Sequence, residues 1–200
     1  MQPAALDESL LNFLGALCRE IRDGAPELPY GFGNGSFDRV NGTYVQAGAP
    51  RGLTCATFVL ALFAAYEIDV VDLEEWPPRR EDAEWQRSIL CTLKAQFPGA
   101  SDRAYFAHIE ADIGNCVRVR PEEVAGAASR DTFPADFATA EALGRQAAAE
   151  LTRDFLRRES SRFPKIASKL RSLAKAGVED LKENHLRVFE VILDNIPWRR

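Results

Sequence analysis

The groups in this 200-residue chain that could do covalent chemistry are four separated cysteines, two histidines and a scatter of carboxylates, and Cys55 is the best placed of them. The run Gly52-Leu53-Thr54-Cys55-Ala56-Thr57-Phe58-Val59 reads as a turn that opens a helix, with Thr54 as N-cap and the cysteine in the first turn. The unpaired amides and the positive end of a helix dipole favour an anion there, which is what a thiol nucleophile needs. Cys55, Phe58, Val59, Leu62, Phe63 and Tyr66 recur at helical spacing, so the cysteine is expected along the buried stripe.

A thiol hydrolase also needs an imidazole to take and return a proton, a group to orient that imidazole, and donors for the oxyanion. His108 and His185 are the available imidazoles. His185 falls on the apolar stripe of the last helical segment and reads as a boundary histidine with a structural role. Glu110, Asp112 and Asn115 stand near His108 in sequence as orienting groups, and nothing selects among them. The Cys55 amide is the first oxyanion donor, with Thr54 beside it.

Upstream, Tyr44 precedes a glycine-containing loop through Gly48, and Gly52-Leu53-Thr54-Cys55 then leads into Phe58-Val59. This front resembles that of the papain-like cysteine hydrolases of the NlpC-type and CHAP groups, over residues 44–59. The chain departs from the NlpC-type pattern in carrying Thr54-Cys55-Ala56-Thr57 where Asp-Cys-Ser-Gly is usual. The resemblance implies Cys55 as nucleophile and Tyr44 near the oxyanion position. A weaker likeness covers His108-Ile109-Glu110-Ala111-Asp112-Ile113-Gly114-Asn115, which is similar to the hairpin that carries the catalytic histidine in those enzymes. His108 follows Cys55 by 53 residues, a separation that family shares.

Residues 101–114 support two readings. As a helix, Ser101 is the N-cap, Tyr105, Ile109 and Ile113 share a face, and Gly114 is the stop; as a strand, Tyr105, Ala107, Ile109, Ala111 and Ile113 alternate with Phe106, His108, Glu110 and Asp112. Propensity favours the helix, because Ala, Glu, Asp and Arg are weak strand formers. The strand would carry the family's histidine in the family's place.

With 46% hydrophobic and 28% charged residues, the composition is that of an ordinary globular chain. A net charge of −5 argues against general nucleic-acid or anionic-membrane binding. The longest uncharged run, residues 52–66, is 15 residues, short of the ~20 needed to cross a bilayer. The first residues carry no basic leader, and the expected location is cytoplasmic with reduced thiols. No Cys-x-x-Cys or His-x-x-x-His grip is present, so neither metal nor cofactor is expected. Adjacent acids such as Glu74-Glu75 and Glu122-Glu123 read as solvated faces and helix starts. The basic run Arg153, Arg157, Arg158, Arg162, Lys165, Lys169, Arg171 and Lys175 reads as solvated helix faces.

In order, helices are expected over 7–23, from 55 to about 66, over 82–97 with Trp85, Ile89, Leu90, Leu93 and Phe97 inward, and from Pro121 to about Ser129. Prolines and glycines break residues 25–52 into loops, with short strands around 37–40 and 43–46. Tyr30-Gly31-Phe32-Gly33-Asn34-Gly35 lacks the Gly-Lys-Ser/Thr ending of a phosphate loop. Residues 68–73 read as a strand or tight turn. Cys18 is expected to be a core residue, and Cys91, next to the apolar side of its helix, reads as structural. Three helices follow residue 134, with a break at Ser160-Ser161.

The fold class expected is helix-rich α+β: a papain-like core over 1–133, with N-terminal helices against a small antiparallel sheet, and a helical extension over 134–200. The function expected is a thiol hydrolase or acyltransferase on an amide, isopeptide or ester carbonyl, with a peptide or acyl substrate. The alternative is a catalytically inactive, helix-rich interaction protein that binds a protein partner through its C-terminal helices.

Overall fold

The computed structural model describes residues 8–24, 28–46, 51–96 and 103–159, with the side chains of residues 8, 103 and 155–159 left aside. Among these residues the fold is helix-rich α+β. The elements run α1 (Glu8–Gly24), β1 (Ser36–Phe37), β2 (Tyr44–Val45), α2 (Cys55–Ala64), α3 (Arg80–Gln96), α4 (Arg103–Asp112), α5 (Pro121–Ala128) and α6 (Phe137–Glu159). Two compact units divide the chain, Met1–Ala147 and Ala148–Arg200. The site lies in the first; of the second, the end of α6 is described, with Leu151 exposed. The expected helices beyond residue 160, His185 on one of them, and the break at Ser160-Ser161 lie outside the described residues. No described helix is long and apolar enough to cross a membrane.

α2 is the hub, packing against α1, β1 and α5. It feeds two apolar clusters at once. Ala56 and Phe63 join Val70, Val71, Trp76, Val119, Val124, Ala127, Ala135 and Ala140, while Ala61, Leu62 and Ala65 join Leu17 and Ile21 of α1, Phe37 and Leu53. A helix apolar nearly all round is one buried on several sides, and here the small residues Ala56 and Ala61 admit the neighbours. That overturns the expected stripe. Cys55 is exposed and Val59 is 37% exposed, because the buried side is set by Ala56, Thr57, Ala61, Leu62 and Phe63. Cys18, expected in the core, is exposed as well, and so is Cys91.

The sheet is one antiparallel pair with Ser36 opposite Val45 and Phe37 opposite Tyr44. The Asp38 carboxylate accepts from the Val40 and Asn41 amides to close its turn. Residues 68–73 form no extended strand, but Val71 bridges Ala135. Residues 103–112 take the helical alternative, so the hairpin suggested by His108–Asn115 is not formed.

α3 and α4 pair through a third cluster of Phe32, Leu90, Phe106 and Ile109. The apolar periodicity misses part of the inward face of α3, where Asp82 and Gln86 are buried beside Leu90. Gln86 is satisfied at both ends: its Nε2 donates to the Cys116 carbonyl at 2.9 Å and its Oε1 accepts from the Gly114 amide at 2.8 Å. A buried amide with two good partners is stable in a core and here fixes the 114–116 turn.

Arg79 ties the segments together. Its guanidinium pairs with Glu123 at the start of α5, donates to Asp82 Oδ2 at 3.2 Å and to the Arg118 carbonyl at 2.6 Å. The side chains of Arg79 and Glu123 are 10% and 2% exposed. Removing one partner from such a pair strands the other charge in the interior at about 3–5 kcal/mol. Arg79→Ala is therefore expected to lower the unfolding free energy by about that amount, read from the shift of the urea midpoint at unchanged slope.

Candidate functional site

Two backbone segments, 29–33 and 51–53, run together as a short parallel ladder and deliver Cys55 to the surface. The Leu53 amide donates to the Pro29 carbonyl at 3.1 Å, the Gly31 amide to the Leu53 carbonyl at 3.2 Å, and the Gly33 amide to the Gly52 carbonyl at 3.0 Å. The glycines explain themselves by contact. A Cβ on Gly31 would lie 1.6 Å from the Arg51 carbonyl oxygen, and Gly52, at φ +72°, would press a Cβ to 2.3 Å from the Pro29 oxygen. The glycine-rich run 30–35 thus serves close backbone approach.

Thr54 leaves the ladder as the N-cap of α2. Its hydroxyl accepts from the Thr57 amide at 3.1 Å, and the Thr57 hydroxyl accepts from the Thr54 amide at 2.9 Å, a reciprocal capping box. The Thr57 and Phe58 amides are thereby committed, the latter to the Thr54 carbonyl at 2.8 Å. No hydrogen bond from the Cys55 or Ala56 amide occurs among the described residues, and these two donors flank the exposed sulfur.

His108 is exposed on α4, and among the described residues no hydrogen bond joins it to Cys55. Its place on the helix is nonetheless informative. Tyr105, one turn before, donates its hydroxyl to the Tyr30 carbonyl, and Asp112, one turn after, pairs with Arg51 Nη1 at 3.5 Å. By helical spacing His108 falls on the side of α4 that carries these two residues, with its own side chain exposed. Of the three orienting groups read from sequence, Asp112 is on that face. Glu110 reaches Lys94 at 3.3 Å, and the Asn115 amide closes the helix end on the Ala111 carbonyl at 2.8 Å. Asp112 is buried, with Oδ2 unpartnered among the described residues, and burial together with its charge pushes the neighbouring Cys116 thiol up.

Tyr44 lies on β2 with its ring 5.6 Å from Phe37, which in turn meets Phe58 of α2 at 5.4 Å. Its hydroxyl is buried beside Gly35 with no hydrogen-bond partner among the described residues, and burial raises its pKa. The Phe37 ring thus stands between Tyr44 and Phe58 of the Cys55 helix.

A different tyrosine stands nearer the sulfur. Tyr30 bridges Leu53 in the ladder, and burial pushes its phenol up to about 12, with Cys55 and Tyr105 acting in the same direction and Arg118 against them. Arg118 is stacked on Trp85 with its guanidinium carbon 3.9 Å from the ring centroid. Phe32, Thr54, Thr57, Trp85, Gln86 and Arg118 line a narrow recess at the foot of α2 with room for about one water. Sequence patterns did not single out Tyr30 or Arg118; the signal available was the Tyr30-Gly31-Phe32-Gly33 alternation, which marks a backbone that must approach another closely. Among the described residues no cluster of His, Cys, Asp and Glu could hold a metal.

Two outcomes check this geometry. Gly31→Ala is expected to cost about 3 kcal/mol in urea unfolding, since backbone on both sides must yield. Tyr30 has its folded pKa above the ordinary 10, so the stability it adds is complete below pH 10 and is lost as pH rises through about 12. Followed by tyrosinate absorbance, the titration of the folded chain should show a late phase near pH 12 that Tyr30→Phe removes. Among known proteins, no family model, curated protein or solved structure matches this chain.

Proposed function

We propose that the chain is a thiol hydrolase or acyltransferase in which Cys55 attacks an amide, isopeptide or ester carbonyl. The observation that carries this reading is the exposed Cys55 sulfur on the first turn of a helix whose cap commits the Thr57 and Phe58 amides and leaves those of Cys55 and Ala56 for an oxyanion. The sulfur attacks the carbonyl carbon, the tetrahedral oxygen takes those two amides, and collapse expels the amine or alcohol to leave an acyl-Cys55 thioester. Water or a second acceptor then releases the acyl group. His108, on the side of α4 that carries Tyr105 and Asp112, is the imidazole assigned to take the Cys55 thiol proton, pass it to the leaving group and then activate the acceptor. The likeness of residues 44–59 to the papain-like NlpC-type and CHAP enzymes points to the same chemistry, with peptide or acyl substrates.

One observation favours the competing reading, a helix-rich interaction protein without catalysis: His108 lies on a helix, exposed, with no described hydrogen bond to the sulfur. Incubation with p-nitrophenyl acetate separates the two. The hydrolase reading expects an acetyl adduct at Cys55 that forms at least tenfold faster than at Cys18 or Cys91, turns over, and accumulates in His108→Ala as deacylation slows by about 10²-fold or more. Acetylation spread evenly over the exposed cysteines would leave the interaction protein.

A further inference from the structure

We propose that Asn34 is a self-modifying site: the Gly35 amide nitrogen attacks the Asn34 side-chain carbonyl, and the aspartyl products loosen the ladder from the β1–β2 hairpin. The chain contains two Asn-Gly pairs, Asn34-Gly35 and Asn41-Gly42, each followed by a hydroxyl residue, Ser36 and Thr43. Their local sequences are so alike that the fold is what sets them apart. A glycine after asparagine leaves the backbone nitrogen unshielded by a Cβ, which is why such pairs cyclise readily. Both asparagines are exposed, so solvent access does not distinguish them.

Hydrogen bonding does. The Gly42 amide donates to the Asp38 carbonyl at 3.0 Å, the Asn41 side-chain oxygen accepts from the Thr43 amide at 2.9 Å, and the Asn41 amide donates to Asp38 Oδ1 at 3.0 Å. Gly42 is buried at φ +67°, where an added Cβ would lie 2.8 Å from the Ile21 nitrogen of α1. Nucleophile and electrophile are both committed in that turn. By contrast, the Asn34 side chain and the Gly35 amide make no hydrogen bond among the described residues. This free pair links two fixed pairings: Gly33 before it donates to the Gly52 carbonyl at 3.0 Å, and Ser36 after it stands opposite Val45. In the reaction the Gly35 nitrogen bonds to Asn34 Cγ, the Cγ–Nδ2 bond breaks, and ammonia leaves with the amide proton. Water then opens the cyclic imide at either carbonyl, giving aspartate or isoaspartate. Both products add a negative charge, and isoaspartate also routes the main chain through Cγ, one methylene longer, between ladder and hairpin. Neither step calls on Cys55 or His108, so the inference stands apart from the hydrolase reading.

Incubation of the full chain at mildly alkaline pH, folded and in urea, tests this by peptide mapping, which reads the mass gain of amide turned acid at each asparagine. In urea the two pairs are expected to convert at closely similar rates. In the folded chain Asn34 is expected to convert at least about tenfold faster than Asn41, whose hydrogen bonds must open first. Asn34→Gln, with a side chain one carbon too long to close the same ring, is expected to remove the fast phase. Conversion of Asn34 no faster than Asn41 in the folded chain overturns the modification. For the coupling, the isoaspartyl form is separated by its charge and compared with Asn34→Asp, which has that charge without the extra main-chain carbon. Hydrogen exchange at the Gly31 and Gly33 amides, whose bonds build the ladder, is expected to be about tenfold faster in the isoaspartyl form. Equal exchange in the two forms overturns the coupling.

Discussion

The close approach of two main chains, 29–33 against 51–53, is the constraint on which the candidate site depends. Three hydrogen bonds span it, and no side chain fits between its glycines. The ladder fixes where Thr54 caps α2, and the cap fixes where the sulfur of Cys55 emerges. It also anchors Tyr30 beside that sulfur and supplies the carbonyl to which Tyr105 of α4 is tied. One backbone pair thereby registers the helix that begins at Cys55, a phenol and the helix that bears His108.

Around it, the unit is held by two different kinds of force. α2 is buried by apolar contact on several sides and binds two clusters into one body. The segment 116–120 adds polar anchors to the apolar packing of Val119: Gln86 takes the Cys116 carbonyl, while Trp76 Nε1 and Arg79 share that of Arg118. Burial of polar groups is tolerable when each finds a partner, and most do here. The exceptions among the described residues, Tyr44 Oη, Asp82 Oδ1, Asp112 Oδ2 and Arg120 Nε, lie near the ladder, the sheet or the arginine network.

Much of the helical skeleton was legible in the sequence, because capping residues and stops mark ends locally. Thr54 as the cap of α2, Pro121 with its acids at the start of α5 and the helical choice for residues 103–112 follow from such signals. What periodicity could not show is which side of a uniformly apolar helix faces inward, and so Cys55 appeared to point along the buried stripe. Nor could it show that Asp82 and Gln86 turn inward on α3, since their burial depends on partners some thirty residues and more away. The family resemblance drew attention to the thiol and to His108; Tyr30, whose phenol the thiol influences, comes from a segment that no motif links to it.

The carbonyl of Arg118 accepts from both Trp76 Nε1 at 3.1 Å and Arg79 at 2.6 Å, so the root of this side chain is clamped. Arg79 also holds the carboxylate that the Arg118 guanidinium faces, so main chain and side chain of residue 118 answer to one arginine, and a change at position 79 reaches both.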